Sequence, residues 1–408
     1  MDNPVDKDFF IINHIDYFSK KIEDVNEFKN LYFIRKFDFF NSLEKHFPKE
    51  FEDFFKVFEN LRQLIIDYKT ILPKDKLYIL REGLEKGKIE LKRKEAALIF
   101  ALSFFGCLKL IGRYKTNDFC VWYLLDEKSG TNFQFSRCFL NYLTIIGKWL
   151  GENNIILEET ITYVRHNIKS RDYVDRDLCQ IQIFEKGSLF DGQAKYCVDF
   201  ANKYIGGGAL SGGCVQEEIL FALEPEATVS MLFMEVMDNN DAIGIFNTIQ
   251  YSNYTGYGFN FEFKESAIPE DKDKIKKHKI IAIDALPSNS YYGNYNYFQY
   301  NSKEKEEEIK RDIHKAFVGF NIISLDNEQT TEKTIATGDW GCGCFGGNHA
   351  LKFFQQWVAA TYAGIQRLDY YTFGVQEMKQ VILNFENIKN RFKTANDLYN
   401  FILNNKWN

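Results

Sequence analysis

Proline is scarce in this chain, 6 among 408 residues, which leaves few rigid linkers. Long apolar runs are also missing. The longest, Ala96 to Cys107, is too short to span a membrane and reads as a buried helix. The opening residues lack the basic-then-apolar layout of a secretory signal, so an intracellular setting, nuclear or cytoplasmic, is expected. Cysteine occurs 8 times but is scattered, which argues for free thiols rather than a disulfide framework. Cys342 and Cys344 form a CxC pair with no second pair or histidine cluster at zinc spacing, so no metal site is expected. The 6 histidines make no HExxH pattern. No GxSxG elbow occurs, since the position two before Ser211 is not glycine. Metallohydrolase and serine-hydrolase chemistries therefore lose support. Excess positive charge is absent too. A net charge of −6 argues against broad, salt-dependent nucleic-acid binding and leaves room for an anion in one local pocket.

What is present is aromatic. There are 39 Phe and 23 Tyr, with 45% apolar and 26% charged residues, as in a globular protein with large cores. The length suits one large or two ordinary domains. Residues 1–153 read as a helical accessory region. Lys7 to Lys21, Glu50 to Tyr68, Lys94 to Leu110 and Ser136 to Leu150 carry apolar residues at helical spacing. From 154 to 408 strand candidates alternate with helices. The strands are Gln180 to Phe184, Lys195 to Phe200, Ile243 to Asn247, Tyr257 to Phe263, Ile280 to Leu286 and Leu368 to Phe373. The helices are Ile219 to Leu223, Ala227 to Met237, Lys305 to Phe317 and His349 to Gly364. That alternation predicts an α/β layer structure with a substantially parallel sheet. Lys264 to Lys279 reads as a charged loop, and Ser288 to Tyr300 as an aromatic one.

Gly206-Gly207-Gly208, a spacer, and then Gln216-Glu217-Glu218 form the stretch around which the chain is organised. A strand ending near Asp199 precedes it and a short helix follows, so it is a strand-to-helix loop, where open α/β sheets bind ligands. Glycine lets backbone N–H groups approach an anion, and the helix N-terminus favours one. With Asp199, Asn202, Glu217 and Glu218 beside it, the loop suggests acid–base chemistry on a phosphorylated sugar. Cleaving a glycosidic bond needs an acid for the leaving oxygen and negative charge for an oxocarbenium-like transition state. Equally, Glu217 and Glu218 suit a helix's first turn with no catalytic role.

A second glycine loop, Gly338 to Gly347, precedes the helix candidate at His349. Gly341, Gly343 and Gly346 match GxGxxG, and Asp369 lies downstream as a ribose-binding acid would. Thr334 to Thr337 reads as only a weak strand, however, and a first βα unit is missing, which argues against a dinucleotide fold. What remains is a second phosphate cradle. Tyr254, Tyr257, Phe345 and Phe373 flank the two loops and could stack on adenine or ribose.

These residues together resemble the poly(ADP-ribose) glycohydrolase family. The GGG, seven residues, QEE signature is joined by Val198 to Lys203, Tyr251 to Tyr257, Ile281 to Leu286, Lys315 to Phe320, Trp340 to Gly347 and Tyr371 to Gly374. The likeness runs in order from about residue 90 to 375. It implies a macrodomain-like mixed sheet sandwiched by helices, preceded by an all-helical region. It implies hydrolysis of the ribose–ribose O-glycosidic bonds of poly(ADP-ribose), mainly from chain ends, on modified proteins. By the same resemblance Glu218 is the general acid. Glu217, Asp199 and Asn202 hold or orient the ribose or support the site, and Gln216 of the signature is a substrate-binding candidate. Gly206, Gly207, Gly208, Gly341, Gly343 and Gly346 cradle the diphosphate. Tyr257 closes over substrate, Phe373 stacks on adenine and Phe345 lies nearby. No metal or organic cofactor, membrane or nucleic-acid partner is implied, and a monomer is expected. Near Leu189 and Phe190 some members carry an acid that reads adenine; here Asp191 is one position on. A non-catalytic ADP-ribose-binding macrodomain, and a hydrolase of small ADP-ribose derivatives, are the alternatives.

Overall fold

The computed structural model describes all residues except 1–8, 32–37, 74, 113, 127–129, 191, 288–301, 329–331 and 406–408. Asp191 and the Ser288 to Tyr300 loop therefore lie outside the described residues. The strands are β1 (Phe10–Ile12), β2 (Lys86–Lys92), β3 (Leu108–Leu110), β4 (Thr160–Asn167), β5 (Gln180–Phe184), β6 (Tyr196–Ala201), β7 (Asp241–Ile249), β8 (Ser252–Thr255), β9 (Glu262–Ser266), β10 (Lys277–Asp284), β11 (Thr334–Gly338) and β12 (Arg367–Tyr371). The helices are α1 (Val25–Lys29), α2 (Asp38–His46), α3 (Pro48–Ile66), α4 (Tyr68–Ile71), α5 (Arg93–Phe104), α6 (Gly130–Gly151), α7 (Gln216–Leu223), α8 (Pro225–Thr228), α9 (Ser302–Asn321), α10 (His349–Tyr362), α11 (Lys379–Leu383), α12 (Phe385–Arg391) and α13 (Ala395–Asn404). None of the described helices is long and apolar enough to cross a membrane.

Eight strands form one mixed sheet in the order β2-β4-β7-β10-β6-β11-β12-β5. From β10 to β5 neighbouring strands are parallel, whereas β7, β4 and β2 join by antiparallel pairs. Alternation along the strands builds a core on each face. Ile280 and Ala282 of β10 face a cluster with Phe100 of α5, Phe139 of α6 and Leu220 of α7. Ile281 and Ile283 face the opposite cluster, with Phe353 and Trp357 of α10 and Leu398 of α13.

The N-terminal part is helical, as expected, with three strands added. β2 pairs along its length with β4 at the edge of the main sheet. Ile89 and Leu91 are its buried positions, a period-two signal set among lysines and a glutamate. The helix expected over Lys7 to Lys21 is instead β1, paired with β3, and a 3-10 turn at Ile15–Phe18. The helix expected over Ala227 to Met237 stops early: α8 passes into a 3-10 turn, Val229–Leu232. Thr228 Oγ1 and Ser230 Oγ donate to the carbonyls three residues back, which competes with continued helix. The strand expected over Tyr257 to Phe263 is instead the hairpin β8–β9 with a 3-10 turn at Gly258–Asn260. β9 also takes up the start of the expected charged loop. Thr334–Gly338, read as a weak strand, is a wholly buried strand between β6 and β12.

Arg93 at the start of α5 and Glu226 in α8 form a fully buried ion pair. Tyr251 donates its hydroxyl to Glu226, and Arg93 Nη2 donates to Asn247 O at 2.9 Å, so the pair ties the N-terminal helices to β7. Arg93→Ala strands the glutamate charge and is expected to reduce stability by about 3–5 kcal/mol in urea unfolding. A loss below about 1 kcal/mol would mean that the pair does no more than a surface ion pair.

Candidate active site

Parallel strands β6, β11 and β12 end side by side, and the loops leaving their carboxyl ends carry the expected site residues. β6 brings Asp199 to this edge, fully buried. The chain then curls through Asn202 to Val215 and enters α7, so that Glu217 and Glu218 fall in the helix's first turn. They are 2% and 7% exposed, against 0% for Asp199, making Glu218 the most open of the three.

The loop and the glutamates hold each other. Glu217 Oε2 accepts from the Asn202 N–H at 2.8 Å, and Oε1 from the Gly206 N–H at 2.7 Å. Glu218 Oε1 accepts from the Gly208 N–H, and Oε2 from the Val215 N–H, each at 2.9 Å. The Gly207 N–H goes to Tyr204 O at 3.0 Å. All three glycine N–H groups are thus engaged within the protein. As arranged, the triple glycine grips the carboxylates instead of presenting N–H groups to a phosphate. The reason is proximity: the loop folds back over the first turn of α7, where two carboxylates are the nearest acceptors. Gly207 has φ +49°, and a Cβ there would stand 2.5 Å from both Glu217 Oε2 and Glu218 Oε1. Only a residue without a side chain fits between the two acids.

Neither carboxyl oxygen of Asp199 has a hydrogen-bond partner. Burial, and then the charge of Glu218, push its pKa well above the ordinary Asp range. Glu217 is pushed up by burial first, then by Asp199 and Glu218, while the Asn202 and Gly206 N–H groups pull it back. Carboxylates crowded out of water do not ionise together, so Asp199 and Glu217 hold protons to higher pH than free carboxyls do. A sign follows for stability. The folded Asp199 carboxyl binds its proton more tightly than in the unfolded chain. Its contribution is therefore intact below the unfolded value of about 3.9 and is lost as pH rises toward the folded value. Asp199→Asn keeps the neutral shape. Its melting temperature is expected to fall less than that of the parent between about pH 5 and 8 in thermal scans. Equal slopes would mean that Asp199 is already ionised in the folded protein.

Gln216 is placed differently from expectation. Its Oε1 accepts from the Phe200 N–H at 2.8 Å and its Nε2 donates to Val198 O at 3.3 Å. β11 pairs with β6 only at Tyr196 and Cys197. Beyond that the side-chain amide of Gln216 takes the place of the departing strand. Asn202 Oδ1 accepts from the Tyr204 N–H, which stiffens the turn. Tyr257 as a whole residue is 59% exposed, while its hydroxyl lies against the Gln216 backbone N–H. Burial of the hydroxyl, followed by the neighbouring Cys344, pushes its pKa up to about 12, so the phenol keeps its proton.

The loop after β11 faces this cluster, its Cys344 near enough to Tyr257 and Cys214 to raise the pKa of both. Gly341 packs on Ala285, where a Cβ would come within 2.5 Å. Gly343 and Gly346 are exposed at the loop's crest. Phe345 is half-buried against the α10 core. Phe373, 50% exposed with φ +51°, stands beside Gly338 and Phe200. Asp369 lies mid-strand, bound by Arg367 through both carboxylate oxygens, and cannot serve as a strand-end ribose acid. One residue escaped sequence reading. Asn117 donates Nδ2 to Gly207 O at 2.8 Å and Ile205 O at 3.1 Å, clamping the triple glycine from the N-terminal region. It lies in a polar loop far away in sequence, and no local pattern marks it.

Residues 168–380 match the family described as "Poly (ADP-ribose) glycohydrolase (PARG), Macro domain fold". The chain is 31% identical over 368 residues to "Probable poly(ADP-ribose) glycohydrolase 2" of Arabidopsis thaliana, covering 77% of this chain and 68% of that one. The chain belongs to the poly(ADP-ribose) glycohydrolase family. "Poly(ADP-ribose) glycohydrolase 1" of the same plant is 31% identical over 298 residues, 56% of this chain and 52% of its own length. The chain thus spans about half to two thirds of these glycohydrolases. A solved structure of poly(ADP-ribose) glycohydrolase from Deinococcus radiodurans in complex with ADP-ribose covers 52% of this chain and 85% of that chain. At 12% identity and a TM-score of 0.36, the likeness is too slight to carry an argument. The mixed sheet between helical layers is the Macro domain fold of the family, preceded by the helical region that the sequence implies.

Proposed function

We propose that this chain hydrolyses the ribose–ribose O-glycosidic bonds of poly(ADP-ribose), mainly from chain ends, and releases ADP-ribose. The observation that carries the reading is the gathering of Asp199, Glu217 and Glu218 against one glycine turn, with Glu218 outermost. Glu218 gives its proton to the departing ribose oxygen as the glycosidic bond breaks. The remaining carboxylate charge supports the oxocarbenium-like sugar. Water then adds to that carbon, and its surplus proton returns to Glu218. Glu217, gripped at both oxygens, orients the turn against the ribose, and Asp199 sustains the proton affinity of the cluster. Asn202, Gly206 and Gly208 hold Glu217 and Glu218 in place. The loop carrying Gly341, Gly343 and Gly346 takes the diphosphate, Tyr257 covers the substrate and Phe373 offers its face to adenine. Residues 1–153 act as an accessory region and 154–408 as the catalytic part. An intracellular monomer with no nucleic-acid partner completes the reading.

The main rival is a module that grips ADP-ribose without cutting. Burying three acids at the carboxyl end of the sheet is costly, and a pure reader has no use for it. Incubation with labelled poly(ADP-ribose), with products resolved by chromatography, separates the two. Release of monomeric ADP-ribose is expected. Tight polymer binding without release would overturn the hydrolase reading, and cleavage of small ADP-ribose derivatives alone would redirect it.

A further inference from the structure

Among the described residues outside the carboxylate cluster, one group of side chains brings three metal-ligating atoms close together. Asp339 follows the end of β11, Cys342 lies in the glycine loop, and His349 begins α10. A carboxylate oxygen, the Cys342 Sγ and an imidazole nitrogen all lie within 4.8 Å of one another. Ligand atoms around a small tetrahedral ion with metal bonds of about 2.0–2.3 Å stand roughly 3.3–3.8 Å apart, so the three need draw together by no more than about 1–1.5 Å to share one. The side chains of Asp339 and His349 are 10% and 20% exposed, and Cys342 is 7% exposed. Asp339 Oδ1 takes the Tyr370 hydroxyl at 3.2 Å, whereas its buried Oδ2 has no hydrogen-bond partner. His349 Nδ1 is buried, and its neighbour is the same carboxylate, Asp339 Oδ1 at 3.3 Å. A buried carboxylate oxygen without a hydrogen bond, beside a histidine and a thiol, is unfavourable unless something binds it.

We propose that Asp339, Cys342 and His349 form a binding site for a zinc-class divalent cation. One thiolate, one imidazole and one carboxylate suit Zn²⁺ among common ions, because the sulfur disfavours Mg²⁺ and Ca²⁺. Binding displaces the Cys342 thiol proton to solvent; no redox step is involved. Lys352, whose charge reaches Cys342, does not block the site, since its ammonium is paired with Asp312. Three protein ligands leave a fourth position for water or an anion. The ion joins the end of β11 to the start of α10 and so fixes the intervening loop, which holds Gly341, Gly343, Phe345 and Gly346. The spacing, Asp-x2-Cys-x6-His, matches no paired-cysteine zinc pattern, so sequence inspection passes over it.

Cobalt substitution tests this without an activity assay. The whole chain, purified under reducing conditions and freed of metal, is titrated with Co²⁺ and then Zn²⁺. One equivalent of Co²⁺ is expected to give a thiolate-to-metal charge-transfer band and tetrahedral d–d bands, which Zn²⁺ then abolishes. Cys342→Ser removes the charge-transfer band. His349→Ala and Asp339→Asn weaken affinity by at least about 10-fold, as loss of even an outer partner does. Cys344→Ser leaves the spectrum unchanged. Far-ultraviolet circular dichroism verifies that each variant is folded. Absence of stoichiometric metal binding by the folded parent overturns the proposal. So does a charge-transfer band that survives Cys342→Ser and disappears with Cys344→Ser.

Discussion

Glu218→Gln is expected to lower turnover on poly(ADP-ribose) by about 10²–10⁴-fold, the usual worth of a positioned general acid, with ADP-ribose affinity changed only a few-fold. The case rests on what each atom of Glu218 touches. Both carboxylate oxygens are held by backbone donors, Oε1 by Gly208 and Oε2 by Val215. That anchors the group at the rim of the cluster, while Asp199 and Glu217 stay deeper. Glutamine keeps the length and shape. It has only one acceptor oxygen, so its amide NH₂ must face one of those two N–H groups. Losing that bond costs about 1–3 kcal/mol, visible as a lower melting temperature and far too little to unfold the domain. The amide carries no transferable proton, so the leaving oxygen would depart as an alkoxide. Single-turnover rates and ADP-ribose titrations, measured on the same preparation, separate the chemical loss from the structural one. Turnover within about tenfold of the parent would remove Glu218 from the acid role. A parallel loss of binding and turnover would mean that the substitution acts through the loop.

The same residues explain how far the chain can be read without coordinates. The β6–loop–α7 unit was legible because its parts are contiguous: an apolar strand, a glycine run, and acids opening an apolar helix. The direction in which the glycine N–H groups point was not legible. A phosphate cradle and a carboxylate cradle need the same glycines, and only the fold-back over α7 decides between them. β11 is hard to read because Thr, Ile, Ala, Thr and Gly lack the continuous apolar bulk by which a doubly covered strand is ordinarily recognised. Lys315 and Asp284, from two separate motifs, meet as a buried ion pair at 2.6 Å with Arg311 beside them, also 2.6 Å from Asp284. Those motifs secure the end of β10 rather than the chemistry. Asn117 and the Asp339–Cys342–His349 group depend on long-range or irregular spacing, which periodicity does not register.

Gly207→Ala should be far more damaging to turnover than Gly212→Ala, although both glycines lie in one loop and both have positive φ, +49° and +97°. The backbone cost of a left-handed alanine is about 1–2 kcal/mol at 207 and higher at 212, whose φ of +97° lies beyond the left-handed well, so backbone strain alone would favour the opposite order. The surroundings differ. At 212 the new methyl meets only Asn132, at 3.7 Å, which is ordinary contact. At 207 it falls 2.5 Å from Glu217 Oε2 and 2.5 Å from Glu218 Oε1, so both carboxylates must move. Moving them breaks the N–H grips from Asn202, Gly206 and Gly208. Displacement of a reacting group by about 1 Å costs on the order of 10²-fold in rate. Gly207→Ala is therefore expected to lose at least about that much turnover, and Gly212→Ala to stay within about tenfold of the parent. Thermal melts check that both remain folded. Equal losses at the two positions, or a larger one at 212, would trace the effect to backbone strain. A larger loss at 207 alone would tie the rate to the seating of Glu217 and Glu218 on the glycine turn.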